Sequence, residues 1–188
     1  PSGSLSLVDY YGEPKQVYYQ MKRSFAPLLV TFVQNNEGQT VLSIVNDLPQ
    51  EVSGGLVYVR KSLDGAICWS NAVQVSVSAN GRISVAITED DDRDDSYLYV
   101  KGSLNGQELS NVYSSKMWTN CRFESDYDYS VCEESRGLVV TVRAHRFAKG
   151  VTLLLPENEK FVYSDNYFDL EAGGEKTVYI SGAASKGE

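Results

Sequence analysis

The side chains whose types and spacing could do chemistry are a few carboxylates, a single histidine and some aromatic pairs. Glu124, Asp126 and Asp128 alternate along one face of a strand-like stretch, with Tyr127 and Tyr129 on the other. Acid–base catalysis needs two carboxylates held at a working separation, and alternation along one segment does not set one. Solvated acids are the simpler reading. His145 is the single histidine, and on the alternating run Leu138–Phe147 it falls on the polar face beside Arg143. A triad would need a nucleophile and an orienting acid near it, and no nucleophile-elbow motif occurs. No catalytic residue is assigned.

The sharpest charge run is Glu89-Asp90-Asp91-Asp92-Arg93-Asp94-Asp95. Asp90, Asp92 and Asp94 have the alternate spacing with which an EF-hand loop begins. The glycine such a loop needs at its sixth position is replaced by Asp95, and the glutamate at its twelfth by Lys101, so the EF-hand reading fails. A calcium site of another kind or a solvated inter-strand loop remains, the second being the default. No cofactor is implied.

Aromatic rings can stack on sugars or fill cores. Trp69, in the run Ile67-Cys68-Trp69, suits a sandwich core, and Trp118 suits a domain boundary. Tyr127 and Tyr129 lie in an acidic, loop-like stretch and are the best candidates for exposed rings that touch sugar, with Asp126 and Asp128 flanking them as hydroxyl acceptors. Three cysteines, Cys68, Cys121 and Cys132, make neither a disulfide framework nor a metal knuckle. Cys121 and Cys132 could meet across a hairpin; buried free thiols are the default.

The elements that would position these groups are strands. The chain has 188 residues, 42% of them apolar and 22% charged, which suits one large or two small globular domains. A net charge of −8 with no basic stripe argues against nucleic acid. No apolar run approaches the ~20 residues of a membrane span, and no signal peptide opens the chain, which begins abruptly at Pro1-Ser2-Gly3 as a cut piece would. One segment reads as helix. Pro14 stands in its first turn, Tyr18, Met21 and Phe25 follow at helical spacing, Lys22 and Arg23 suit its C-terminal dipole, and Pro27 stops it. A helix of about twelve residues is marginal unless it packs on something larger. With no such partner preceding it, the helix is expected to fray, to pack on the first sandwich or to pair with another chain. Deleting residues 1–25 is expected to cost little.

From Leu28 onward the period is two. Runs at Leu28–Val33, Thr40–Val45, Leu56–Ser62, Ala66–Ser70, Val73–Ser78, Arg82–Ile87, Tyr97–Leu104 and Glu108–Ser114 are punctuated by Asn35-Asn36-Glu37-Gly38, Asp64-Gly65, Asn80-Gly81 and Asn105-Gly106. These are hairpin signals, and their regular spacing describes a sandwich. After a polar break at Ser114-Ser115-Lys116, strands are expected at Met117–Phe123, Leu138–Phe147, Val151–Leu155 and Lys176–Ser181, with Leu138, Val140, Val142 and Ala144 pointing inward.

Two motifs carry a family resemblance. Val8-Asp9-Tyr10-Tyr11-Gly12-Glu13-Pro14-Lys15, then Tyr18-Tyr19 and Lys22-Arg23-Ser24-Phe25-Ala26-Pro27, resembles the end of the catalytic barrel in glycoside hydrolase family 2, β-mannosidase-like branch. There a similar stretch forms the last barrel helix and leads into a β-sandwich. Ser164-Asp165-Asn166-Tyr167-Phe168-Asp169-Leu170, followed by Gly173-Gly174-Glu175-Lys176, resembles the last immunoglobulin-like domain of the same enzymes.

The resemblance implies an all-β chain of two immunoglobulin-like antiparallel sandwiches preceded by a short remnant helix of a TIM barrel. Residues 1–27 would be that helix and a linker, 28–116 the first sandwich and 117–188 the second. It implies non-catalytic accessory domains of an exo-glycosidase that support its barrel and shape part of its pocket. Retaining enzymes hold two carboxylates about 5–5.5 Å apart, and the resemblance places both upstream of the final helix. The parent would hydrolyse terminal β-mannosides with retention, with β-galactosides and β-glucosaminides as rivals. The implied partners are the catalytic barrel of the same parent chain and a β-linked glycan. A periplasmic or secreted setting would suit a glycan-degrading parent, although no residue here signals a compartment. An independent carbohydrate-binding module is the alternative, and an adhesion module would leave the helix unexplained.

Overall fold

The computed structural model describes residues 6–87, 95–114, 124, 126–135, 137–155 and 161–182. Asp90, Asp92, Asp94, Trp118, Cys121 and the strand expected at 117–123 lie outside them. The chain divides into two compact units, Phe25–Phe123 and a second that joins Pro1–Ser24 to Glu124–Glu188.

Among the described residues, the Phe25–Phe123 unit is a sandwich of seven strands: β1 (Leu28–Gln34), β2 (Thr40–Asn46), β3 (Val52–Ser62), β4 (Ile67–Val77), β5 (Gly81–Ala86), β6 (Ser96–Leu104) and β7 (Gln107–Tyr113). They form antiparallel sheets in the orders β1-β2-β5 and β4-β3-β6-β7. Alternation puts Leu28, Val30 and Phe32 of β1 and Leu42 and Ile44 of β2 against Leu56 and Tyr58 of β3 and Leu98, Val100 and Leu104 of β6. Each such side chain contributes about 1.5–3 kcal/mol of burial free energy. Trp69 joins this core, its ring edge-on to Tyr58 at 5.9 Å, which is the structural role its sequence context favours.

Three of the four turn signals close hairpins, β1–β2, β3–β4 and β6–β7. Asn105 and Gly106 both adopt positive φ (47° and 81°), as a two-residue hairpin turn requires. Asn80 also has positive φ (49°), but Asn80-Gly81 carries the chain from β4 in one sheet to β5 in the other. Turn chemistry fixes the local backbone; the buried faces decide what pairs. Here buried Asn46 determines the corner. Its Nδ2 reaches Gln50 O (2.8 Å), Val77 O (3.1 Å) and Ser78 O (2.9 Å), and its Oδ1 accepts from Leu48 N (3.0 Å).

The second unit holds, among the described residues, the helix α1 (Gln16–Ser24) and six strands: β8 (Tyr127–Glu134), β9 (Gly137–Ala144), β10 (Ala148–Val151), β11 (Val162–Tyr163), β12 (Phe168–Leu170) and β13 (Glu175–Ser181). Its sheets run β11-β13-β9-β8 and β10-β12. Val140, Val142 and Ala144 point inward as expected and pack with Phe168, Leu170, Val178 and Ile180. The chain is therefore all-β, built as immunoglobulin-like antiparallel sandwiches with one short helix. Two expectations need correction. The acidic stretch read as loop-like is the regular strand β8, and Cys68 and Cys132 are exposed free thiols rather than buried ones. Both sit on edge strands, where alternation no longer implies burial.

Candidate functional site

Two places hold the residues that sequence reasoning singled out. The first is β8, the edge of its sheet. Tyr127, Tyr129 and Val131 stand opposite Ala144, Val142 and Val140 of β9, so they share the face that β9 buries in the core. They are themselves left open: Tyr127 is 55% and Tyr129 69% exposed. Asp128 pairs with Arg143 across the ladder and so lies on the opposite face, where its Oδ2 meets His145 Nε2 at 2.8 Å. Asp126 is exposed, and its backbone oxygen accepts from His145 N (2.8 Å). Glu124 pairs with Arg146 Nη1 at 2.7 Å. The two rings thus share one face, and the acids serve largely to close the β8–β9 entry. No group of His, Cys, Asp and Glu among the described residues could hold a metal ion.

The second place was not foreseen. A closed turn precedes α1: Asp9 Oδ1 accepts from Tyr11 N (2.8 Å) and Glu13 N (2.9 Å), and Lys15 N donates to Leu7 O (3.0 Å). The turn presents Tyr10 at 94% and Tyr11 at 72% exposure. In α1, Tyr19 is the buried residue at 2%, its ring 5.9 Å from that of Tyr167. Burial pushes the Tyr19 phenol up to about 12, with Tyr163, Tyr18, Tyr167 and Asp165 adding to the shift. Arg23 Nη1 donates to Asp165 Oδ1 (2.5 Å) and Asn166 O (3.1 Å), and Nη2 to Tyr167 O (2.9 Å). Lys22 Nζ donates to Ser164 O (2.8 Å). The second Asp165 oxygen takes Lys176 Nζ at 2.5 Å.

The helix therefore has its partner inside the chain, contrary to the expectation that it would fray, pack on the first sandwich or seek another molecule. It is shorter than expected, nine residues, and its Tyr18–Met21–Phe25 stripe is exposed while Tyr19 is buried. The motif from Ser164 to Leu170 is what receives it. Charges 142 residues apart in the sequence leave no local pattern by which to pair them.

Such a combination defines a class: immunoglobulin-like β-sandwiches in which a polar turn motif is spent on holding a helix. Residues 124–188 match the Ig_mannosidase family model, an Ig-fold domain. The fold of the whole chain is similar to that of β-D-mannosidase from Dictyoglomus thermophilum, with 22% identity, TM-score 0.81, and coverage of 95% of this chain and 22% of that one. It is also similar to the exo-chitosanase of Amycolatopsis orientalis, with 20% identity, TM-score 0.63, and coverage of 93% and 26%. The chain spans about a quarter of the length of these structures. No curated protein matches the sequence. The resemblance to the C-terminal region of family 2 glycoside hydrolases is borne out, in the fold of the chain and in the family model that residues 124–188 match, an immunoglobulin-like domain.

Proposed function

We propose that this chain is the non-catalytic C-terminal region of a family 2 exo-glycosidase of the β-mannosidase-like branch, and that it supports the catalytic barrel through α1. In this reading residues 1–27 are the last barrel helix and linker, and 28–116 and 117–188 are the two sandwiches. The observation that carries it is the two-sided helix. Tyr19, Lys22 and Arg23 are spent on the C-terminal sandwich, while Val17, Tyr18 and Met21 of the helix, and Phe25 just after it, stay exposed. An apolar stripe of that kind on a short helix is a docking face. Co-expression with the polypeptide encoded upstream of Pro1 tests it. The two should co-purify, and Met21→Lys with Phe25→Lys should separate them. A signal peptide abutting Pro1, in place of a barrel of roughly 250 residues, would sink the reading.

The chain alone should then turn over no aryl β-mannoside, β-galactoside or β-glucosaminide. Activity that survives removal of contaminating host enzymes and persists across preparations would show a catalytic site within these residues.

A second reading, carbohydrate contact, is favoured by the exposure of Tyr127 and Tyr129 on one face. Tyr127 and Tyr129 would stack on the sugar, with Asp128 on the opposite face holding the strand through His145. A two-ring site has a dissociation constant on the order of millimolar, about 4 kcal/mol. Titration with mannan, chitosan and galactan oligosaccharides, followed by NMR shifts, should find binding no tighter than that. Micromolar binding abolished by Tyr129→Ala would make this a carbohydrate-binding module.

A further inference from the structure

We propose that the C-terminal sandwich is what makes α1 a helix at all, and that Asp165 is its positioning residue. Isolated helices shorter than about 12–15 residues are marginal in water, and α1 has nine. Its single buried side chain, Tyr19, sits against Tyr167, and its two cations end on Ser164, Asp165, Asn166 and Tyr167. The anchors thus lie in one short segment of the other end of the chain.

Within that segment Asp165 has a place no neighbour shares. One carboxylate oxygen takes Arg23 of α1 and the backbone N–H of Asn166 (2.9 Å); the other takes Lys176, on β13. The carboxylate therefore joins the helix to a central strand of the four-stranded sheet and fixes the turn that offers two carbonyls to Arg23. Charge-assisted hydrogen bonds of this kind are directional, and a planar guanidinium gripping three acceptors leaves the helix little freedom to roll. Residues 25–123 intervene in sequence between helix and anchor. The helix consequently cannot take its final form until the last sandwich has been made. If α1 is the docking helix of the preceding section, its apolar face is presented only by a chain complete to its last strand; that consequence rests on the docking reading, whereas the clamp does not.

Amide hydrogen exchange on the full chain tests the clamp. Asp165→Ala should speed exchange of the Tyr19–Ser24 amides by about tenfold or more relative to the parent, with β9 and β13 amides unchanged. Arg23→Ala, a helix substitution that leaves the Asp165–Lys176 pair in place, should do the same, and the double variant should fall short of the sum of the two, because the Arg23–Asp165 contact is lost in both. NMR of ring-labelled tyrosine gives an independent readout. The Tyr19 phenol, pushed up to about 12 chiefly by burial, should fall toward its ordinary value near 10 in Arg23→Ala, which leaves the Asp165 carboxylate in place. Unchanged α1 exchange in both variants, or parallel acceleration of β9 and β13, would overturn the proposal. Failure of the chain to co-purify with the upstream polypeptide while α1 stays protected would remove the docking reading and leave the clamp standing.

Discussion

Gly102→Ala should unfold the Phe25–Phe123 unit, whereas Gly106→Ala should leave it folded. Gly102 lies in β6 opposite Leu56 of β3. A Cβ there would sit 2.1 Å from Gly55 O, 2.9 Å from Leu56 Cα and 3.0 Å from Gly55 C. All three are backbone atoms of the neighbouring strand, so no rotamer change can relieve the clash. The counterpart on β3 is Gly54, whose Cβ would meet Ser103 O at 2.0 Å. Glycine inside a strand is ordinarily a loss, since it packs nothing and orders the most backbone. Here the close approach of β3 and β6 explains it. Parting the two central strands of a four-stranded sheet would expose Leu56, Tyr58, Leu98 and Val100 together. The cost should exceed about 4 kcal/mol, a large share of the 5–15 kcal/mol that holds a typical domain folded. Gly106 meets nothing within 4 Å, and its φ of 81° costs an L-residue only about 1–2 kcal/mol. Denaturant melts followed by the near-ultraviolet signal of Trp69 check both. A Gly102→Ala transition within 1 kcal/mol of the parent would mean that the strands separate freely, against the packing described.

The strands of the first sandwich were legible in the sequence because β-branched and apolar runs, alternating in β1 and buried along nearly all of β2, are set between turn residues. The runs at Ala66–Ser70 and Val73–Ser78 merge into β4, since the residues between them, Asn71 and Ala72, pair with Tyr58 and Val57 of β3 and the ladder continues through them. Strand β8 was hidden by its acids. Asp128, Glu133 and Glu134 lower its strand propensity, and only the ladder to β9 reveals why it is extended. The helix was found from Pro14, Pro27 and the basic pair, but the side that Tyr19 buries was not. Periodicity identifies an apolar stripe, here Tyr18, Met21 and Phe25, without showing that a single tyrosine beside it is what the C-terminal sandwich covers. The pairing of Tyr127 with Tyr129 on one face followed from alternation alone. That Asp128 belongs to His145 did not, because it depends on the register that sets Asp128 opposite Arg143 and carries the ladder on to His145 N and Asp126 O.

Asn166→Ala should cost the helix-bearing unit about 3 kcal/mol, more than its small size suggests. The side chain is buried and behaves as a peptide group placed opposite Leu153. Its Oδ1 accepts from Leu153 N at 2.8 Å, and its Nδ2 donates to Leu153 O at 3.0 Å. The same Oδ1 accepts from Tyr167 N at 2.9 Å and so helps hold Tyr167 at φ 52°, a conformation that costs a tyrosine strain. Alanine would strip partners from a donor and an acceptor of Leu153 and release the Tyr167 turn, whose carbonyl Arg23 uses to hold α1. Loss of the helix should therefore accompany loss of stability. Asn166→Asp separates hydrogen bonding from shape. It keeps the Oδ1 acceptor but puts a carboxylate oxygen where Nδ2 donates, facing Leu153 O, so the charged form is opposed and the folded-state pKa of the new group should rise above the unfolded value near 3.9. A raised pKa gives stability that is present below the unfolded value and lost as pH rises through the folded one. The deficit of Asn166→Asp should accordingly shrink on acidification, because the protonated carboxyl can donate to Leu153 O, while the deficit of Asn166→Ala relative to the parent should not. Urea melts of the three proteins between pH 3 and pH 8 read this directly. Parallel pH profiles for the two variants would show that the side chain fills space beside Leu153 without its hydrogen bonds mattering, and the account of the motif as a polar anchor for α1 would fail with them.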